Sequence, residues 1–167
     1  VLTENLEYYI DKYNTWSSYE PEDKGIFIAH ASIHGNTAKA AEKLKEILEE
    51  AGAEKVAIAD LCREDMHESV EDAFRYDRLV LAASSYDAGV FPPMEKFLHH
   101  LKVKNYQKRT VAIMENGSWA PTAARVMKAE LEGMKNIEIV EPVITIKSTM
   151  KQDNVEQMKE LAKNLVK

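Results

Sequence analysis

Ser32, Asn36 and Thr37 place two hydroxyls and a carboxamide around Gly35, between the apolar run Gly25-Ile26-Phe27-Ile28-Ala29-His30-Ala31 and a stretch of helical periodicity from Ala38 to Ala51. A buried strand that turns into a helix through such residues leaves main-chain N–H groups unpaired at the positive end of the helix dipole. That arrangement binds anions, phosphate above all. Ser32-Ile33-His34-Gly35-Asn36-Thr37 contains no Lys or Arg, so the donors would be the Ser32 and Thr37 hydroxyls, the Asn36 carboxamide and the main chain. The two common nucleotide loops are excluded. No Gly-x-x-x-x-Gly-Lys-Ser/Thr occurs, and the next glycine after Gly35 is Gly52, too far for Gly-x-Gly-x-x-Gly. For the hexapeptide alone, an ordinary strand-to-helix turn in which Ser32 or Asn36 caps the helix stands as an equal reading.

Two more segments add chemistry. Ser85-Tyr86-Asp87-Ala88-Gly89-Val90-Phe91 follows the buried-strand run Leu79 to Ala83 and offers an aromatic face, a carboxylate and a flexible glycine. Glu115-Asn116-Gly117-Ser118-Trp119-Ala120 follows a strand over 109–114 and offers Asn116, Gly117, Ser118 and an exposed Trp119. Tyr86 and Trp119 beside one anion site suggest a flat ring tethered to a phosphate, with main chain near Gly89 and Gly117 free to approach the ring's polar edges. Flavin mononucleotide (FMN) meets these demands. Taken singly, Tyr86 and Trp119 read equally well as packing residues, and Asn116-Gly117 as a hairpin turn fails because Pro121 opens a helix. With Asp87 and Glu115 near the mouth and no Lys or Arg in the three loops, negative charge on a reduced ring is disfavoured. A lowered potential for the last reduction step is the expectation.

The elements that position these loops follow from periodicity. Residues 1–20 carry Leu2, Leu6, Tyr9, Ile10, Tyr13 and Trp16 at helical spacing, with Thr3 as the expected cap, and Glu20-Pro21-Glu22-Asp23-Lys24 forms a polar connector. Helices follow at 38–51, 68–75, from Pro92 with Met94, Phe97, Leu98 and Leu101 inward, from Pro121 with Ala124, Met127 and Leu131 inward, and after an Asp153 cap with Val155, Met158, Leu161, Ala162 and Leu165 inward. Strands are expected at 25–31, 55–60, 78–84, 109–114 and 137–146, the last kinked or at an edge because of Pro142. Five strands alternating with five helices predict an α/β fold, a doubly wound five-stranded parallel sheet of flavodoxin-like order 2-1-3-4-5 with helices on both faces. Ligands then bind beyond the carboxyl ends of the strands, where the winding reverses and the three loops converge. Residues 1–24 are read as helix and connector to another domain, and residues 25–167 as the binding domain.

Composition narrows the partners. The 167 residues, 45% hydrophobic and 30% charged, fit one globular domain. A net charge of −6, from 22 basic and 28 acidic residues interspersed without a basic block, argues against nucleic acid and anionic membranes. The single cysteine, Cys62, cannot form an internal disulfide and reads as a quiet thiol; no apolar run nears the roughly 20 residues of a membrane span. A reducing cytoplasmic setting is expected. The sequence shows no signal peptide, but its first residue is Val1 rather than Met, and a processed or excised piece is the expectation. Adjacent His99 and His100 read as a solvated helix face, since metal ligation from one helix needs i, i+4 spacing.

The segments Ser32-Ile33-His34-Gly35-Asn36-Thr37, Ser84 to Pro93 and Glu115-Asn116-Gly117-Ser118-Trp119-Ala120-Pro121 resemble the three flavin loops in the carboxyl-terminal domain of the flavodiiron proteins, or A-type flavoproteins. The likeness covers nearly the whole chain, and the segment Leu6 to Trp16 resembles the family's junction between its metallo-β-lactamase-like and flavodoxin-like domains. The resemblance implies FMN, electrons accepted from a rubredoxin, and delivery to a non-haem di-iron centre reducing O2 or NO. The family's His-x-Glu-x-Asp-His iron motif is absent from these residues, so the resemblance implies an electron-transfer module without reductase activity of its own. The family's head-to-tail dimer depends largely on the missing domain, which leaves a homodimer of this chain open. Two other classes stay open as well: an FMN-dependent NAD(P)H:quinone reductase, and a cofactor-free flavodoxin-like interaction domain.

Overall fold

A computed structural model describes residues 4–167; Thr3, the expected first cap, lies outside them. The elements run α1 (Leu6–Ser17), β1 (Asp23–Ala31), α2 (Asn36–Glu50), β2 (Val56–Asp60), α3 (Met66–Arg75), β3 (Tyr76–Tyr86), β4 (Gly89–Val90), α4 (Pro92–Val103), β5 (Gln107–Asn116), α5 (Ala123–Glu132), β6 (Lys135–Ile146) and α6 (Gln152–Leu165). β2, β1, β3, β5 and β6 form a parallel sheet in that order, the expected 2-1-3-4-5 once the two-residue β4 is set aside.

β1, β3 and β5 read as near-continuous apolar runs because helices cover both faces. Phe27, Leu79, Leu81, Val111 and Ile113 face α3, α4 and α5, whereas Ile26, Ile28, Val80, Ala82 and Met114 face α2 and α6. The chain leaves β1 outward to β2 and returns to β3 on the other side of β1. That reversal opens the crevice at the carboxyl edge.

The structure corrects several expected boundaries. β3 runs on through Ser85 and Tyr86 and pairs antiparallel with β4, so 85–91 is a hairpin and not a loop. Its turn residues, Asp87 (φ 45) and Ala88 (φ 58), are both left-handed, as a two-residue type I′ turn requires. β5 likewise includes Glu115 and Asn116, and α5 starts at Ala123 rather than Pro121. Met127 and Leu131 are buried as expected, Ala123 joins them, and Ala124 packs partly buried against the same core. At α6 the capping side chain is Asn154, not Asp153: its Oδ1 accepts from Lys151 N–H at 3.0 Å and its Nδ2 donates to the Thr145 carbonyl at 3.1 Å.

α1 belongs to neither face of the sheet. None of its residues is buried, and Leu6, Tyr9, Ile10, Tyr13 and Trp16 are all exposed. Polar contacts hold it at the amino end of the strands: Lys12 pairs with Glu22, Trp16 Nε1 donates to Glu22 at 2.7 Å, and Lys108 reaches Glu20 at 2.7 Å. Arg109, buried beneath, donates to the carbonyls of Tyr19, Phe74, Tyr76, Gln107 and Lys108 and so stitches the connector to the sheet.

The carboxylates around this connector respond to acid in one direction. Hydrogen bonds from Arg75 and Lys55 hold Asp23 below the ordinary carboxylate range, and Lys108 does the same for Glu20. For Glu22 partial burial opposes ionisation, yet hydrogen bonds from Lys12 and Trp16 outweigh it and its pKa is also lowered. A depressed carboxylate pKa stabilises above the unfolded value, roughly 4, and that contribution is lost as pH falls through the folded value. Acidification below about pH 4 is therefore expected to free α1 while the sheet persists. Trp16 fluorescence anisotropy, read in a Trp119→Phe background, should fall before the far-UV signal does; coincident changes would refute it.

Candidate functional site

Gly35 turns β1 into α2 at φ +84, a conformation that favours glycine, and a Cβ there would meet nothing within 4 Å, so the backbone angle alone is the constraint. As the residue before the helix it brings no side chain to cap it. Lys39 N–H, bonded to Gly35 O at 3.0 Å, is the first to find an acceptor within the helix. The amides of Asn36, Thr37 and Ala38 precede it and have no intrahelical partner.

The first two of those residues help to line a cavity of about 220 Å³, walled by Ser32, Ile33, His34, Asn36 and Thr37, by Ser84 and Ser85, by Asn116, Gly117 and Ser118, and by Ser148. The imidazole of His34 is the single ionisable side chain in that wall. Ser32 Oγ is fully buried and has no hydrogen-bond partner. Thr37 Oγ1 and Ser84 Oγ share a hydrogen bond at 2.9 Å, which fixes the spacing between the first loop and β3.

Several expected contacts instead hold the scaffold. Ser85 Oγ accepts from the amides of Thr122 (2.9 Å) and Ala123 (3.2 Å), and Glu115, also buried, accepts from Ala124 N–H at 2.8 Å and Thr145 Oγ1 at 2.9 Å. Together they close the N-terminus of α5. The Glu115 carboxylate is thus occupied within the scaffold and does not face the mouth, which corrects the expectation that it would act on a reduced ring. Gly117 N–H donates to Ile146 O at 3.0 Å, so it is not free to meet a ring edge. Glycine is needed there for another reason: a Cβ would lie 2.9 Å from both Ser85 Oγ and Pro121 Cα. Gly89 pairs with Tyr86 in the hairpin, and its carbonyl accepts from Thr122 Oγ1 at 2.7 Å.

Tyr86, Asp87, Ala88, Gly89 and Trp119 lie outside the cavity wall, as does Gly35. Tyr86 is 45% exposed and Trp119 98%, so neither turns into the core. Asp87 and Ala88 form the exposed hairpin tip. Sequence reasoning missed Ser84 and Ser148 as wall residues. Ser84 adjoins the chosen segment, and a serine just past the last strand was the available signal for Ser148.

A larger cavity, about 480 Å³, lies at the opposite end of the sheet under α1, walled by Trp16, Phe74, Arg109 and three glutamates among others. Its size does not make it the anion site, because Glu20, Glu22 and Glu71 line it, whereas the smaller cavity holds the uncapped amides. Among the described residues no group of three His, Cys, Asp or Glu is placed to hold a metal, and His100 instead lies near His67 of α3, ring centroids 5.9 Å apart. Burial pushes the Cys62 thiol up, which makes it less reactive.

A doubly wound parallel sheet with one uncapped helix N-terminus and a ring of hydroxyls at its switch point defines a mononucleotide-binding α/β protein. The family model of the flavodoxin domain matches residues 27–140, and the chain belongs to that family. No curated protein sequence matches it. Among solved structures, the rubredoxin oxygen:oxidoreductase of Desulfovibrio gigas superposes with a TM-score of 0.87 at 18% identity, over 96% of this chain and 39% of its own. The flavodiiron protein of Giardia intestinalis gives 0.86 at 18% identity, over 98% and 41%. Flavodoxin 1 of Bacillus cereus gives 0.72 at 16% identity, over 84% and 96%. The chain thus spans about two fifths of the two larger proteins.

FMN is the cofactor that flavodoxin membership implies. The residues present fit it: an orphaned buried hydroxyl and three uncapped amides suit a phosphate monoester. Pockets that enclose a whole small molecule measure about 300–1,000 Å³. The 220 Å³ cavity is smaller than that, enough for one end of such a molecule, and Tyr86 and Trp119 lie exposed outside its wall. Because a Cβ at Gly117 would crowd both Ser85 of β3 and Pro121, Gly117→Ala should destabilise the fold by about 1–3 kcal/mol and weaken FMN binding together, measured by urea unfolding and flavin fluorescence. Unchanged values in both would contradict this packing role.

Proposed function

We propose that this chain is an FMN-binding electron-transfer domain that receives electrons from a rubredoxin-like donor and passes them to a di-iron centre, reducing O2 or NO, on a metallo-β-lactamase-like domain outside these 167 residues. The observation that carries the reading is one cavity lined by the first residues of α2, which has no side-chain cap, and by Ser32, whose buried hydroxyl has no partner. Support for the larger assembly comes from coverage. The match to the Giardia flavodiiron protein takes in 98% of this chain, against 84% for the free Bacillus flavodoxin, a difference about the size of α1 and its connector.

The chemistry supplied by bound FMN is the transfer of one or two electrons. The protein's part is position and field. Ser32 Oγ and the amides of residues 36–38 would hold the phosphate without a countercharge, the Thr37–Ser84 hydrogen bond would keep the cradle's width, and Tyr86 and Trp119 would flank the ring and limit its access to water. Asp87 at the hairpin tip is the one carboxylate of the three segments left exposed, and it would disfavour negative charge on the ring. A homodimer and the identity of the donor belong to the same proposal.

Two measurements test it. In an FMN titration, Ser32→Ala should weaken binding about tenfold, the value of one hydrogen bond to a charged group, while the unliganded fold is as stable as the parent or more so, since the hydroxyl has no protein partner to lose. A less stable Ser32→Ala with unaltered FMN affinity would overturn the assignment. The second measurement is electron flow. The FMN-loaded chain should be reduced by reduced rubredoxin and should oxidise NADPH with a quinone no faster than free FMN does; efficient quinone reduction would establish the quinone reductase instead.

A further inference from the structure

The strand β6 ends at Ile146, and the turn after it brings Ser148 to the wall of the anion cavity. Ser148 stands at φ 68, a left-handed conformation that a side chain makes unfavourable. Something must hold it there. The buried Asn116, at the end of β5, donates from Nδ2 to the Ser148 carbonyl at 2.8 Å and accepts at Oδ1 from Ser148 N–H at 3.1 Å. A carboxamide carries the same donor and acceptor pair as a peptide group. Asn116 thus adds one more rung to the β5–β6 ladder, just past the Asn116–Ile146 register pair, where Ser148 no longer lies in a strand. The neighbouring bond from Gly117 N–H to Ile146 O fastens the same corner.

We infer that the turn 147–150 is a fourth wall of the FMN cup and that Asn116 is the positioning residue that builds it, acting through Ser148. The inference rests on the FMN reading given above. It reassigns Asn116, whose place in the Asn-Gly-Ser-Trp segment suggested direct contact with the cofactor, and it adds Ser148 to the groups that meet the ligand's phosphate end.

The test separates positioning from contact. In the unliganded chain, Asn116→Ala should raise amide hydrogen exchange at Ser148, whose N–H loses its acceptor, with FMN affinity falling about tenfold. Adding Ser148→Gly to Asn116→Ala should recover most of that affinity, because glycine takes the left-handed angle without a clamp; Ser148→Gly alone is the reference for the lost hydroxyl. If Asn116→Ala fails to fold, the uncharged Asn116→Leu, close to it in size, replaces it. That variant removes both hydrogen bonds to Ser148 without adding charge to the cavity wall, and recovery by Ser148→Gly is again expected. Unchanged exchange at Ser148, or an affinity loss that Ser148→Gly leaves in place, would overturn the inference. Should the parent chain bind no FMN, the FMN reading fails, and with it the fourth wall, while exchange at Ser148 still decides whether Asn116 positions the turn.

Discussion

One unmet need governs the carboxyl edge of this sheet: the first amides of α2 have no acceptor among the described residues. Other helices in the chain meet the same need from within. Asp65 accepts from the amides of His67 and Glu68 at the start of α3, and Pro92 and Pro93 remove two N–H groups from the start of α4. Ser85 and Glu115 satisfy the first amides of α5, which starts at the same edge. A second open terminus beside the first would compete for the ligand. By closing α5 and leaving α2 open, the chain concentrates its positive potential on one point.

Much of this organisation was legible in the residue pattern, and the failures have physical causes. The strand order and the inward faces of α2 and α4 follow from periodicity, since each apolar face must be buried against a two-sided sheet. The hairpin of β3 and β4 was missed because Asp87-Ala88 takes the two left-handed positions that Asn-Gly or Asp-Gly more often fills. Glu115 looked like a mouth residue because charge usually marks the end of a strand. Its burial follows from two extra residues of β5 and from α5 arriving overhead, both tertiary facts. Ser148 carried little signal, since its role comes from a partner 32 residues away.

The two ends of the sheet use electrostatics in opposite ways. At the amino end, ion pairs and the carbonyl cage around Arg109 carry α1, a helix whose apolar side chains find no cover among the described residues. At the carboxyl end, the cavity wall contains serine, threonine, asparagine, glycine and isoleucine, with His34 its lone ionisable member. Neutral donors act at short range and are little affected by screening, so retention there depends on placement more than on ionic strength.

A wall so poor in titrating groups has almost no acid–base buffering of its own. A phosphate monoester seated in it, whose second ionisation lies near pH 6 in water, would be pulled toward the dianion by the helix amides. The pH at which such a complex loosens would then depend on the guest and on His34 alone, and a guest with a permanently charged sulfate in place of phosphate would remove the guest's share.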